Sequence, residues 1–239
     1  MDVPAPLLVA AALVGYLAGS VSFARLVARR FLPGRDVETT TYLVDDAGAT
    51  MTLERVGPSA IRERAGPRAG CATAALEIAK ALVPTLAFRL ADPTGIAAAA
   101  CATGAVVGHV LPIWHRFRGG YGVSPLLGGL VVLDPLATVA LPSAGLGLGL
   151  VVADAFVAFD VWPLLLIPWA LWRGEPALLA MAVVANVVFW WAELPKLRRH
   201  LAHRRATRKD RRGRIAEITF VMGGRPPAED PSAGDAGRG

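Results

Sequence analysis

The amino-acid sequence predicts an all-α integral membrane protein, a seven-helix transmembrane bundle with a small cytoplasmic hairpin insertion. Its 239 residues are 54% hydrophobic and have a mean hydropathy of +0.47, more apolar than an ordinary soluble domain. The apolar residues come in long blocks rather than amphipathic stripes. The formal net charge of +6 is concentrated between and after these blocks. Few aromatic residues accompany the cations, so membrane lipids or anionic substrates are expected as partners, and nucleic acid is not.

Seven apolar segments are candidates for membrane spans, because about 20 helical residues cross the ~30 Å hydrocarbon layer. The fourth, Val123–Leu133, would span only partway, which leaves six spans as the alternative. The first is expected to be a retained span rather than a cleaved signal, since Asp2 precedes it and its cations follow it. The segments are Pro6–Ala24, Cys71–Phe88, Thr94–Ile113, Val123–Leu133, Leu136–Val152, Ala155–Trp172 and Pro176–Trp191.

The distribution of basic residues predicts the orientation. Clusters of arginine and lysine follow the first, third and last spans, whereas the intervening loops carry few cations. Seven spans place all of these clusters on one side, which the positive-inside rule makes the cytoplasm. The N-terminus is then outside and the C-terminus cytoplasmic.

Two soluble pieces are predicted beside the spans. In the cytoplasmic loop 36–66, the stretches ETTTYLV and ATMTLERV alternate polar and apolar residues around a turn at Asp45–Gly48, which is typical of a β-hairpin. Ser59 is predicted to cap a short helix, Ala60–Ala65. The sequence thus divides into a membrane domain, 1–200, and a basic, mostly disordered cytoplasmic tail, 201–239.

A basic, glycine-rich loop lies within residues 108–123, which read GHVLPIWHRFRGGYGV. Glycines lack a Cβ, so the backbone N–H groups of Gly119, Gly120 and Gly122 can turn toward one anion. Arg116 and Arg118 add fixed positive charge beside them. The loop is a candidate phosphate site, with a turn that merely orients the protein as the alternative.

Several ionisable residues interrupt the apolar segments. Glu77 and Lys80 share one helix face and form either a polar wall of a substrate site or a structural ion pair. His109 is either a packing residue or a catalytic base. Asp160 has no obvious cationic partner in the sequence, and Asp154 is expected to be a solvated helix end.

No metal site and no cofactor are predicted. No second histidine lies at ligand spacing from His109. The isolated residues Cys71 and Cys101 form neither a CxxC motif nor a disulfide framework.

The loop resembles the third conserved block of the bacterial acyl-phosphate:glycerol-3-phosphate acyltransferases, and the first span is similar to that family's Tyr-Leu-x-Gly-Ser-Ile-Pro-Phe motif, with Ser22 in place of proline. Lys80-Ala81 falls where the family has a Lys-Gly pair. The similar loop residues are Gly108, His109, Pro112, Trp114, Phe117, Arg118, Gly119, Gly120, Gly122 and Val123.

This resemblance implies a multi-pass enzyme of the bacterial plasma membrane. The reaction would move an acyl group from acyl phosphate to glycerol 3-phosphate or a related acceptor, in phospholipid biosynthesis and without a cofactor. The residues assigned on this basis are His109 and Ser59 as catalytic, and Arg116, Arg118, Gly119, Gly120, Gly122, Arg62 and Arg64 as phosphate-binding.

The sequence also departs from the family pattern. Tyr121 stands where the family has a loop lysine, and Glu63 stands where it has an arginine. The family's Gly-Ser-Gly-Asn block is replaced by residues 52–55, and its C-terminal His-x-Glu-Asn run keeps only Glu193. Residues 38–56 look like an insertion. Two alternatives therefore stay open: an inactive relative that binds or regulates phosphorylated lipid precursors, and a small transporter lined by Glu77, Lys80 and Asp160.

Overall fold

Helices form nearly all of the fold in a computed structural model that describes residues 3–34, 38, 40–43, 50–53, 55–206, 212–215 and 218. A 3-10 helix, Ile113–His115, precedes the glycine-rich loop. The α-helices are α1 (Ala5–Ser20), α2 (Phe23–Phe31), α3 (Pro58–Ala91), α4 (Ile96–Val110), α5 (Val123–Leu133), α6 (Pro135–Val152), α7 (Ala155–Asp160), α8 (Trp162–Arg173) and α9 (Pro176–Ala206).

Five helical segments of the described chain are long and apolar enough to cross a membrane, and α5 is a shorter apolar helix. The sixth predicted span, Ala155–Trp172, is wrong as a single helix. It divides at Val161 into α7 and α8. Pro163 occupies the first turn of α8, where its missing N–H costs nothing, and it could not continue α7 without breaking that helix. The count of seven spans stays a prediction.

Helices α1 and α4 meet through glycines on both sides. A Cβ on Gly15 or Gly19 would overlap a backbone carbonyl of α4, and a Cβ on Gly104 or Gly108 would overlap one of α1. Each pair is spaced by four residues, so each helix presents one glycine-lined face. Small residues of this kind let membrane helices pack backbone to backbone. The contact places the end of α1 beside His109 of α4.

Replacement of Gly104 with alanine is expected to lower the free energy of unfolding by about 1–3 kcal/mol, as overpacking does. The new Cβ would overlap the carbonyl of Ala12 and lie 2.9 Å from the backbone nitrogen of Tyr16. Gly147→Ala is the matched control, because nothing lies within 4 Å of a Cβ there. Thermal unfolding in detergent measures both variants, and an equal melting temperature for the two would contradict the packing.

Helix α3 contains a kink that separates a short first segment from the membrane segment. Gly66 has a φ of 86° and is followed by Pro67, which disfavours helical backbone before it. The predicted cap was wrong: the helix begins at Pro58 with Gly57 as its N-cap, and Ser59 lies inside the first turn. Pro58 supplies a preset φ at that position, so the helix starts earlier than Ser59.

The loop after α2 contains two strands, β1 (Thr40–Leu43) and β2 (Thr50–Leu53). They pair antiparallel, with Thr40 opposite Leu53 and Leu43 opposite Thr50. The turn predicted at Asp45–Gly48 lies outside the described residues. At the other end of the chain α9 continues past position 200, and most of the predicted tail beyond it also lies outside them.

The largest buried apolar cluster joins α4, α5, α6, α8 and α9. The polar side chains of α3 and α4 do not belong to this cluster and lie near the end of α1. Its most deeply buried large members are Leu126, Leu130, Leu166 and Met181.

Candidate active site

Three buried polar side chains, Glu77, Lys80 and His109, form one cluster between α3 and α4. The Lys80 Nζ lies 2.6 Å from Glu77 Oε2 and 3.0 Å from His109 Nδ1. Glu77 Oε2 lies 3.4 Å from the same ring nitrogen. Glu77 and Lys80 are three residues apart, so one helix face presents both. The predicted ion pair is therefore present, and His109 joins it.

The cluster also holds the break between α1 and α2. Lys80 donates to the carbonyl oxygens of Gly19 at 2.7 Å and Val21 at 2.6 Å. Glu77 Oε1 accepts from the backbone N–H of Ala24 at 3.1 Å. These backbone groups lie where one helix ends and the next begins, so they have no helical partners.

The two ring nitrogens of His109 face different groups. Nδ1 lies 3.0 Å from Lys80 Nζ and 3.4 Å from Glu77 Oε2. Nε2 faces Gly120, where a Cβ would overlap it. His109 thus connects the buried Glu77–Lys80 pair to the glycine-rich loop.

The glycine-rich loop has a distinctive backbone. Arg116 and Phe117 adopt left-handed conformations with φ of 52° and 61°, and Gly122 has a φ of 92° at the start of α5. Two consecutive non-glycine residues in this region are uncommon. The turn is secured by the Phe117 N–H, which donates to the Pro112 carbonyl at 3.0 Å, and the Gly120 N–H, which donates to the His109 carbonyl at 3.1 Å.

Two arginines from other elements bind the carbonyl side of the loop. Arg25 of α2 donates to the Arg118 carbonyl at 2.8 Å. Arg55 donates to the carbonyls of Gly119 at 3.3 Å and Gly120 at 3.2 Å. The sequence analysis did not assign either arginine to the site. Both are far from the loop in sequence, so no local spacing could have revealed the contacts.

A narrow cavity lies between the end of α1, Lys80, His109 and the loop. The guanidinium of Arg25 and the imidazole of His109 give its wall positive and hydrogen-bond-donating character. Within the described residues, no three His, Cys, Asp or Glu side chains are grouped to hold a metal ion. The lining residues are Gly19, Ser20, Val21, Ser22, Arg25, Val56, Lys80, His109, Pro112, Gly119 and Gly120.

Other predicted site residues lie outside this cavity. Arg116 and Arg118 are exposed, and so are Ser59 and Arg62 on the first turns of α3. Arg64 donates to the Ala60 carbonyl at 3.3 Å. The apolar side chains of Ala60 and Ile61 are fully buried and occupy the inward face of these turns, which turns Ser59 and Arg62 outward. Of the predicted phosphate-binding set, Gly119 and Gly120 line the cavity, and Gly122 begins α5.

Tyr121 occupies the position of the family's loop lysine and lies between two cations. The Arg55 guanidinium is 5.4 Å from its ring centroid and the Lys196 ammonium is 5.3 Å away, both within the range of cation–π attraction. The loop thus keeps two positive charges beside Tyr121, one from Arg55, which follows β2, and one from Lys196 of α9.

Asp160 has a cationic partner that the sequence did not reveal, and the expectation that Asp154 is solvated was wrong. Asp160 pairs with Lys196 at 2.7 Å, a partner 36 positions away in sequence, which local patterns cannot reveal. Asp154 is buried rather than solvated. It caps α7 by accepting from the Val157 N–H at 3.1 Å and contacts His200 at 3.2 Å. It also pairs with Arg204 of α9.

The Asp154 contacts predict a loss of stability in acid. Burial opposes ionisation of this carboxyl, but hydrogen bonds from His200 and Val157 outweigh it and lower its pKa below the ordinary value. A depressed native pKa stabilises the fold above the unfolded pKa of about 3.9 and ceases to do so as pH falls through the native value. Wild type should therefore have a higher melting temperature than Asp154→Asn at pH 6, and this difference should disappear as the pH falls below ~4. A constant gap in melting temperature would contradict this.

The chain resembles known proteins over most of its length. A family model described as glycerol-3-phosphate acyltransferase matches residues 9–203. A glycerol-3-phosphate acyltransferase of Methylorubrum extorquens is 34% identical over 199 residues, 81% of this chain and 89% of that protein. One from Halalkalibacterium halodurans is 29% identical over 196 residues, 78% of this chain and 88% of that protein.

A solved structure shares the fold. The crystal structure of PlsY (YgiH), an integral membrane glycerol 3-phosphate acyltransferase, in its glycerol 3-phosphate form has a TM-score of 0.68 and 22% identity. The match covers 82% of this chain and 93% of that one. None of the comparisons supports the inactive-relative or transporter alternative. The chain is an integral membrane protein and belongs to the glycerol-3-phosphate acyltransferase family.

Proposed function

We propose that this chain transfers the acyl group of an acyl phosphate to the 1-hydroxyl of glycerol 3-phosphate and thereby makes a lysophosphatidate. The observation that carries the proposal is the glycine-rich loop, packed against the buried Lys80–His109 pair and bound by Arg25 and Arg55. The loop is also the segment with the strongest sequence resemblance to the family. The relatives named glycerol-3-phosphate acyltransferase support glycerol 3-phosphate as the acceptor of the acyl group.

In this proposal the reaction is accelerated by electrostatic stabilisation of the negative charge that develops in the transition state. The acceptor oxygen attacks the acyl carbon, the bond from that carbon to the phosphate oxygen breaks, and inorganic phosphate leaves with the bonding electrons. The hydroxyl proton goes to the departing phosphate. Negative charge grows on the carbonyl and phosphate oxygens, and donors fixed in advance lower the energy of that state. Arg25 supplies such a donor at the cavity, and so does His109 when its Nε2 carries a proton.

Glu77 and Lys80 act as positioning residues in this scheme. Lys80 contacts Glu77, the carbonyls of Gly19 and Val21, and His109, so it positions the end of α1 and the imidazole rather than contacting substrate. Glu77 balances its charge inside the membrane domain. The pair thus sets which His109 nitrogen faces the loop.

We also place the protein in the bacterial plasma membrane, with its N-terminus outside and the cavity facing the cytoplasm. The basic clusters after α1, after α4 and in the C-terminal half of α9 support this orientation through the positive-inside rule. Alkaline phosphatase and green fluorescent protein fused in turn to each terminus would test it. A fluorescent N-terminal fusion would overturn it.

The decisive test supplies palmitoyl phosphate and glycerol 3-phosphate to the purified protein in detergent and measures phosphate release and lysophosphatidate. We expect turnover by wild type and by Arg62→Gln, an exposed arginine outside the cavity, and a loss in Arg25→Gln. Absence of turnover above the Arg25→Gln background would overturn the proposal. Thermal stabilisation by palmitoyl phosphate without turnover would instead favour a binding protein.

A further inference from the structure

A second cleft lies on the outer side of the break between α1 and α2. Its volume is about 130 Å³, and it separates α2 from the 3-10 helix Ile113–His115. It shares Val21, Ser22 and Arg25 with the narrow cavity but opens beside α2. Its lining residues are Val21, Ser22, Arg25, Leu26, Arg29, Trp114 and His115.

Helix α2 lies at the edge of the hydrocarbon layer rather than within it. The 16 residues of α1 extend for about 24 Å at ~1.5 Å per residue, most of the layer's ~30 Å thickness. The backbone is extended at Val21 and Ser22, and the Ser22 hydroxyl then caps α2. Arginines are costly in hydrocarbon, so a nine-residue helix with Arg25, Arg29 and Arg30 belongs among the headgroups.

The surface around this cleft is unusually apolar and aromatic. Leu26 is 47% exposed, Phe31 67%, Trp114 60% and Phe117 56%. The inward face of α2 is formed instead by the buried Ala24 and Ala28. Tryptophan and other amphipathic aromatic residues concentrate where a protein passes from acyl chains to headgroups.

The same surface is positively charged. Arg29 lines the cleft and is exposed, as are Arg30, Arg116 and Arg118, each within three residues of a lining residue in the sequence. The nearby carboxylate of Glu38 is bound by Arg25 through two hydrogen bonds of 2.6 and 2.7 Å. Excess cations beside an aromatic, apolar rim complement a phospholipid that carries net negative charge.

We propose that this cleft binds the phosphate headgroup of an anionic phospholipid of the surrounding bilayer. Arg29 and His115 lie on the polar side of the cleft and contact the phosphate. Leu26 and Trp114 lie on its apolar side and contact the glycerol and the first acyl methylenes. The site adjoins the proposed reaction site and shares Arg25 with it, but binding of the phospholipid requires neither acyl phosphate nor turnover.

Native mass spectrometry of the detergent-solubilised protein, titrated with phosphatidylglycerol or phosphatidylcholine, tests the site. We expect wild type to retain phosphatidylglycerol preferentially and Arg29→Gln to bind it about fivefold more weakly, as one near-surface cation implies. Trp114→Ala should weaken binding of the same lipid. Arg198→Gln removes an equal charge from the exposed surface of α9 and should bind as wild type does.

Three outcomes would overturn the proposal. The first is equal retention of phosphatidylcholine, and the second is an equal loss in Arg198→Gln, which would indicate general charge attraction. The third is displacement of the lipid by millimolar inorganic phosphate, which would indicate a site for soluble anions. Melting temperatures of each variant without lipid show whether it is folded. A protein that lacks turnover but passes this test would contradict the proposed reaction alone.

Discussion

Replacement of Lys80 with methionine is expected to lower the free energy of unfolding by about 3–5 kcal/mol, the usual consequence of removing one member of a buried ion pair. The Glu77 side chain is 1% exposed, so its carboxylate would remain charged without its nearest cation. The carbonyls of Gly19 and Val21 would also lose their donor. Thermal or denaturant unfolding in detergent measures the loss.

The double variant Glu77→Gln/Lys80→Met separates charge from packing. It removes both charges and keeps similar side-chain volumes, so it should be clearly more stable than Lys80→Met alone. If the losses of unfolding free energy from the two single substitutions instead add in the double variant, Glu77 and Lys80 do not act as a pair. Acyl transfer should stay impaired in the double variant, because His109 Nδ1 has lost the ammonium that holds the ring in place.

Replacement of Gly120 with alanine is expected to reduce kcat by about 10²–10³, as loss of one preorganised donor does. The added Cβ would overlap His109 Nε2, so the imidazole must shift from its present position. That shift would move Nε2 away from the anion while Lys80 and Glu77 remain in place. Steady-state release of phosphate from palmitoyl phosphate measures the effect.

Gly147→Ala is the control for this substitution. Nothing lies within 4 Å of a Cβ at Gly147 in α6, so activity and melting temperature should both stay close to wild type. A Gly120→Ala protein with full activity would remove His109 from the mechanism. A clearly lower melting temperature for Gly120→Ala than for the control would show that the substitution destabilises the fold rather than acting through His109.

The sequence predicted the features that depend on neighbouring residues. Long apolar blocks predicted the membrane helices, because an apolar helix satisfies its own backbone hydrogen bonds and can cross the bilayer without a partner. Glu77 and Lys80 could be paired from helical spacing, and the glycine-rich loop from its composition. Val161 was harder to foresee as a break, because Pro163 is equally compatible with a kinked helix and with a new one.

The contacts made across the fold could not be predicted in this way. Arg25 and Arg55 bind loop carbonyls that are 93 and 64 residues away, and nothing in their own surroundings distinguishes them from topological charges. Arg62 and Ser59 were assigned to the site by alignment to a motif. Their orientation depends on which face of α3 carries Ala60 and Ile61, and tertiary packing decides that.

The glycine contact between α1 and α4 limits how the protein can admit its substrates. Side chains at most helix interfaces can change rotamer, but here the two backbones touch, so α1 cannot move away from α4 without losing the whole contact at once. We therefore expect the cavity to open through its other walls, α2 with Arg25 or the segment that carries Arg55 and Val56. Spin labels on α2 and α4 would report a changing distance during turnover, whereas labels on α1 and α4 would not.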